Sequence, residues 1–307
     1  MMQAVTLESD RLRVDVWPHL GGKVSSVVDK ADGFELLFNF PAEIPTGPQY
    51  GKPYDTTWYA GWDECFPAIG AGTYPGHPYD HIAIPDHGEV YAVPVTTAVP
   101  SANGITTVWY GLRFGYRLTR KLTLTDDGLS AAYTVTNLAP FEFRFVWAQH
   151  ALLSMESPVE LDLTGAAPPT GRPMRWSHGV GGIEAQRSFY WPTLAGEGDL
   201  SRPDRLPVGG WKVFDLNPIA PDAPAVVRYP GRQRQLAIAY SGEVPAYWGL
   251  WINTGGWNHQ RHLAVEPTTG RFDQLDRAVN DQSAGRIPPG GTVAWRVDWR
   301  VSTFTHP

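Results

Sequence analysis

Cysteine is almost absent: Cys65 stands alone in 307 residues, so no intrachain disulfide can form. The sequence has no Asn-x-Ser/Thr acceptor, and its opening, Met1-Met2-Gln3-Ala4-Val5-Thr6, lacks the basic and apolar regions of a secretory signal. No apolar run approaches the roughly 18 residues that a membrane-spanning helix needs. These absences predict a cytoplasmic protein without a membrane partner. Basic residues form no long run, and Lys+Arg 25 against Asp+Glu 31 leaves a net charge of −6, which speaks against nucleic acid as a partner. Also missing are a phosphate-cradling glycine loop, a dinucleotide fingerprint, a G-x-S-x-G elbow and a cysteine zinc site, which removes many common enzyme classes.

Backbone punctuation and aromatic rings are abundant. Gly 32 and Pro 28 exclude long helices over most of the chain. In the longer stretches free of both, Leu12-Arg13-Val14-Asp15-Val16 and Phe141-Glu142-Phe143-Arg144-Phe145 place apolar residues at every second position, the period of a half-buried strand. An all-β fold follows, and with no composition shift or charged linker the expectation is one large antiparallel β-sandwich domain over residues 1–307. Thirteen tryptophans suggest an aromatic-lined cleft besides a core.

The opening reads as a meander: strands Arg11 to Trp17, Lys23 to Asp29 and Phe34 to Phe40. Residues 41–94 are long and irregular, which in a compact domain marks a functional segment or disorder. Their many aromatic residues argue against disorder. Hairpins resume with Tyr116 to Thr125, Leu129 to Asn137 and Phe141 to Gln149, and the last strand, Thr292 to Val301, alternates strictly. One short helix is expected at Arg271 to Gln282, where Phe272, Leu275 and Val279 share a face.

Three segments carry polar residues that turns alone do not explain. Gly61-Trp62-Asp63-Glu64-Cys65-Phe66-Pro67 sets two acids between aromatics. It reads either as a sugar-binding loop, with Asp63 and Glu64 on hydroxyls and Trp62 on a C–H face, or as a loop whose rings plug the core. In Asp86-His87-Gly88 the glycine would let the backbone approach a ligand beside an imidazole, although a surface-loop histidine is the ordinary alternative. His150 falls on the more polar face of its strand, and Glu266, followed by Pro267, would project from a sheet rim, which suits a base, although a plain loop acid is the commoner case. Nine histidines raise the alternative of a metal, but His259, His262 and Glu266 have helical spacing in a β-like run, and no metal is expected.

Taken in order, Leu12-Arg13-Val14-Asp15-Val16-Trp17-Pro18-His19-Leu20-Gly21-Gly22, Asp32-Gly33-Phe34-Glu35-Leu36-Leu37, Asp86-His87-Gly88, Ala148-Gln149-His150 and Ala264-Val265-Glu266-Pro267 resemble the aldose 1-epimerase, or galactose mutarotase-like, family. The resemblance spans nearly the whole chain. It implies a β-supersandwich with a sugar cleft, His150 as general acid, Glu266 as general base, His87 as the second histidine near the anomeric oxygen, and neither cofactor nor metal. The chain departs from the family where an Asn-Arg pair should precede the first histidine; the Gly61 to Pro67 segment stands there instead. The family's substrate-binding aspartate between the second histidine and the glutamate has no visible counterpart.

The function so implied is anomer interconversion of an aldose or aldose derivative. Two other classes stay open: a sugar-binding or regulatory module without turnover, and a glycoside hydrolase or lyase pairing Asp63 or Glu64 with Glu266. Arg144 and Arg271 are read either as receivers of an anionic group on the sugar or as members of structural ion pairs.

Overall fold

The computed structural model describes residues 3–40, 46–47, 49–156, 158–163, 165, 171–179, 184–221 and 223–304. Strict alternation makes the strands. In Thr292–Thr303, Trp295, Val297, Trp299 and Val301 are buried while Arg296 and Arg300 are exposed, and the strand pairs antiparallel with Gly128–Asn137 on one side and Arg234–Gly242 on the other. These three belong to an eight-stranded sheet.

A larger sheet of 13 strands runs, in its middle, through Lys23–Asp29, Trp62–Cys65, Ala148–Ser154, Arg261–Thr268, Tyr247–Thr254 and Gly210–Asp215. All the neighbours in this run are antiparallel. The two sheets face each other across one large apolar cluster. Trp62 of the larger sheet stacks on Trp299 of the smaller, ring centroids 5.2 Å apart.

Inside this core lies a polar knot around Glu64. Its carboxylate accepts from Trp62 Nε1 at 3.0 Å, Arg120 Nη1 at 3.1 Å, the Tyr133 hydroxyl at 2.8 Å and Trp147 Nε1 at 2.9 Å. A buried charge is tolerable only when paired and hydrogen-bonded to this extent, and the knot ties the two sheets in register.

The opening meander is present as Leu12–Trp17, Lys23–Asp29 and a shortened Phe34–Glu35. The expected strand from Phe141 to Gln149 is broken in two. Phe143–Phe145 pairs with Gly285–Ile287, whereas Ala148–Ser154 enters the large sheet. Between them the Val146 N–H donates to the Pro67 carbonyl and the Trp147 N–H to Thr269 Oγ1, so the chain changes partners there. The helix is shorter than its apolar spacing suggests, Leu275–Asn280, with Arg271 and Phe272 in the loop before it. No helix of the described residues is long and apolar enough to cross a membrane.

Candidate active site

Period-two alternation divides each central strand of the large sheet between core and outer face. On Ala148–Ser154, Gln149 points inward to Tyr133 and Trp299, so His150 and Leu152 point outward. On Arg261–Thr268, Leu263 and Val265 join the core, leaving His262 and Glu266 on the outer side. Lys212 and Trp251 likewise alternate with core residues. Ala148 lies opposite Thr268 and Leu152 opposite Ala264, which sets His150 abreast of Glu266. Loops then build a wall over this face, bringing Tyr54, His87 and Trp257, and together they enclose a cavity of about 340 Å³.

Glu266 is fully buried beneath the lining residues His150 and Lys212, and His150 is 6% exposed. His150 Nε2 and Glu266 Oε1 are 3.9 Å apart. The other carboxylate oxygen, Oε2, accepts from the Lys212 ammonium at 2.6 Å, while Oε1 is buried without a hydrogen-bond partner. Lys212 also lies 3.4 Å from Asp273, which in turn stands 3.7 Å from His178. On the opposite side Tyr54 stacks flat on His87 at 3.8 Å and donates its hydroxyl to Asp63 Oδ2 at 2.9 Å. The same hydroxyl is 3.5 Å from His150 Nδ1, and the His87 ring meets the His150 ring edge-on at 4.9 Å.

The electrostatics follow from burial and neighbours. Burial pushes His150 well below the usual imidazole range, and the charges that His87, Lys212, His262 and Lys23 carry when protonated add to the effect. Burial raises Glu266 above the usual carboxylate range against the pull of Lys212. Lys212 moves the other way: burial disfavours its charge, but Asp273 and Glu266 together push it up to about 12. Burial alone takes His262 down to about 3.

The structure brings His150, Glu266 and His87 together, but sets Asp63 one side chain behind them and off the cavity lining, held by the Lys23 ammonium at 2.5 Å and by Tyr54, which corrects the sugar contact expected of it. It does not bring Trp62 or Glu64 to the cavity. Both face the core, because on a strand they must alternate with Asp63, and this corrects the sugar-binding roles expected of them. Arg144 and Arg271 are corrected as well. Arg144 lies outside the cavity lining and pairs with Glu142 at 2.9 Å; Arg271 binds Asp281 at 2.9 Å and the Leu216 carbonyl at 2.8 Å. Gly88 serves the fold and not a ligand: with φ +74°, an added Cβ would fall 2.2 Å from the Phe66 carbonyl oxygen.

Sequence reasoning misses Tyr54, Lys212, Trp251 and Trp257, and it weighs His262 only as a metal ligand. Lys212 leaves a faint signal, a lone charge within the otherwise apolar Trp211-Lys212-Val213-Phe214. Trp251 and Trp257 supply the aromatic wall expected of Trp62. Among the described residues, no three His, Cys, Asp or Glu side chains converge so as to hold a metal ion.

No protein-family model matches the chain, and no curated protein matches it in sequence. Solved structures do match. A galactose mutarotase-like protein from Lactobacillus casei ATCC 334 superposes with a TM-score of 0.73 at 20% identity, over 97% of this chain and 100% of its own. A protein from Synechocystis sp. PCC 6803 gives 0.73 at 16% identity, over 99% and 96%. A galactose mutarotase-like protein from Clostridium acetobutylicum gives 0.68 at 15% identity, over 98% and 95%. The fold is therefore the galactose mutarotase-like sandwich that the sequence motifs implied.

Proposed function

We propose that the protein interconverts the anomers of an aldose by opening and reclosing the sugar ring. The observation that carries this reading is the buried His150–Glu266 pair, 3.9 Å apart, whose carboxylate presents an unpartnered Oε1. A pyranose laid over the pair offers its anomeric hydroxyl to one group and its ring oxygen to the other. Starting from ionised Glu266 and protonated His150, the anomeric O–H gives its proton to Glu266, the C1–O5 bond breaks as C1 becomes a carbonyl, and O5 takes the imidazolium proton of His150. Rotation about C1–C2 exposes the other carbonyl face. Reclosure returns both protons, so the pair ends as it began.

Burial works against the charged pair, pushing His150 down and Glu266 up, while the 3.9 Å approach of the two opposite charges and the Lys212 contact on Glu266 favour it. Such acid–base assistance contributes roughly 10²–10⁴-fold. Trp251 and Trp257 offer ring faces to the sugar's C–H surface.

An uncharged sugar suits the site. Lys212 is engaged by Glu266 and Asp273, while Arg144 and Arg271 are engaged outside the cavity. The hydrolase alternative loses support, because Glu64 is sealed in the core and Asp63 is held by Lys23 and Tyr54. Polarimetry on a panel of freshly dissolved aldoses tests the proposal: accelerated mutarotation of at least one neutral aldose is expected. Cleavage of a disaccharide without any such acceleration would overturn it.

A further inference from the structure

We propose that Lys212 is a positioning residue for Glu266: its ammonium grips Oε2, which fixes the carboxylate's rotamer, keeps it ionised, and leaves Oε1 as the oxygen that takes the sugar's proton. This rests on the mutarotase reading for its consequence in turnover, but the grip itself is a matter of geometry. Lys212 and Glu266 belong to strands separated by Tyr247–Thr254. The residue of that intervening strand abreast of both Glu266 and Phe214 is Gly249. With no side chain at that point, the lysine can pass over the middle strand to Oε2, 2.6 Å from its nitrogen. A Cβ on Gly249 would already stand 3.5 Å from Oε2, so a longer side chain would compete for the same space. The ammonium is held from its far side by Asp273 at 3.4 Å.

The asymmetry between the two oxygens is the informative feature. Oε2 has a charge-assisted donor, while Oε1 is equally buried and has none, although it lies toward His150. A buried carboxylate oxygen left without a donor costs stability unless a ligand supplies one, and the anomeric hydroxyl is such a donor. The charged and titratable groups around Glu266 are His150 on the neighbouring strand, Lys212 two strands away, Asp273 in the loop before the helix, His87 from the loop wall, and Cys65 from the Trp62–Cys65 strand. Of these, Lys212 makes the direct contact that favours the carboxylate, and Asp273 opposes it.

The test has two readouts. The first is a carbon-13 NMR titration of the Glu266 carboxyl, its resonance identified with Glu266→Gln; the second is the pH profile of kcat/KM by polarimetry. Lys212→Met removes the cation, and the Glu266 titration should move up by about one to three pH units, the usual effect of an opposite charge at contact distance. The acid limb of kcat/KM should follow it, and at a fixed pH on that limb the rate should fall about tenfold for every pH unit the titration moves. KM should stay within about threefold. Lys212→Arg should restore most of the loss. Asp273→Asn keeps Lys212 in place and should move both readouts downward, so a Lys212→Met variant that fails to fold still leaves opposite-signed expectations to check. Unchanged Glu266 titration in Lys212→Met, an upward move in Asp273→Asn, or no rescue by Lys212→Arg would each overturn the assignment. A wild-type protein that accelerates no aldose would reject the mutarotase reading, and the NMR titration would still decide the role of Lys212.

Discussion

Glu64 and Glu266 are both fully buried, both lie on central strands of the large sheet, and each touches one buried cation. Burial raises both above the usual carboxylate range. They differ in what surrounds them. Glu64 accepts from four donors spread over both sheets, and each of its oxygens has a partner. Glu266 has one donor on one oxygen and none on the other, and it faces the cavity side of its strand. A carboxylate whose hydrogen-bonding capacity is spent on the protein holds the fold. One that is sequestered but incompletely bonded is poised for a substrate.

The largest effect that would break this comparison is on stability. Glu64→Ala leaves Arg120 buried and uncompensated, so denaturant unfolding should show a loss of about 3–5 kcal/mol, or no folded protein. Glu266→Gln should cost far less, about 1–2 kcal/mol at most, because Lys212 retains Asp273. Equal losses in the two variants would dissolve the distinction.

Next comes the coupling across the cavity. His150→Asn should lower turnover by about 10²-fold or more, and adding Glu266→Gln should lower it much less than the product of the two single losses, since both remove parts of one proton exchange. Multiplicative losses would mean that the groups act separately.

The third expectation concerns pH. His262 titrates at about 3 in the folded chain, against roughly 6.5 when unfolded, and His150 is depressed in the same direction. A depressed histidine contributes stability that is fully present above the unfolded value and is lost as pH falls toward the folded one. Urea midpoints should therefore drop between about pH 6.5 and 4, and His262→Gln should flatten that slope. A midpoint independent of pH over that range would contradict a buried neutral His262.

The smallest effects separate cavity from core. Trp251→Ala should raise KM and reduce the fluorescence response to sugar, whereas Trp62→Ala should act on stability, by about 3–5 kcal/mol. Arg144→Ala, on an exposed ion pair, should change stability by under about 1 kcal/mol and leave KM unaltered. A KM effect confined to Arg144 would restore an anionic substrate.

Much of this is legible in the residues. Alternation in Thr292–Thr303 shows its buried face directly, and the order of Asp86-His87-Gly88, Ala148-Gln149-His150 and Ala264-Val265-Glu266-Pro267 points to residues that the fold brings together, His87 and His150 in the cavity lining and Glu266 against His150. The strand Trp62–Cys65 is hidden because all four of its residues are buried, so period two leaves no polar–apolar trace. Its faces are consequently misassigned from sequence: Asp63 and Glu64 look equivalent there, yet they point to opposite sides of the sheet. Lys212 escapes notice for a related reason. Its partner lies two strands away in space and 54 residues away in sequence, and only the gap at Gly249 lets them meet.

The most direct test of the central claim is turnover and sugar affinity measured together on folded Glu266→Gln. The substitution keeps the shape of the side chain and a hydrogen-bonding oxygen but removes the proton acceptor. Polarimetric turnover should fall by about 10²-fold or more while the calorimetric Kd stays within about threefold. Turnover near that of the wild type, with affinity intact, would contradict an acid–base pair of His150 and Glu266.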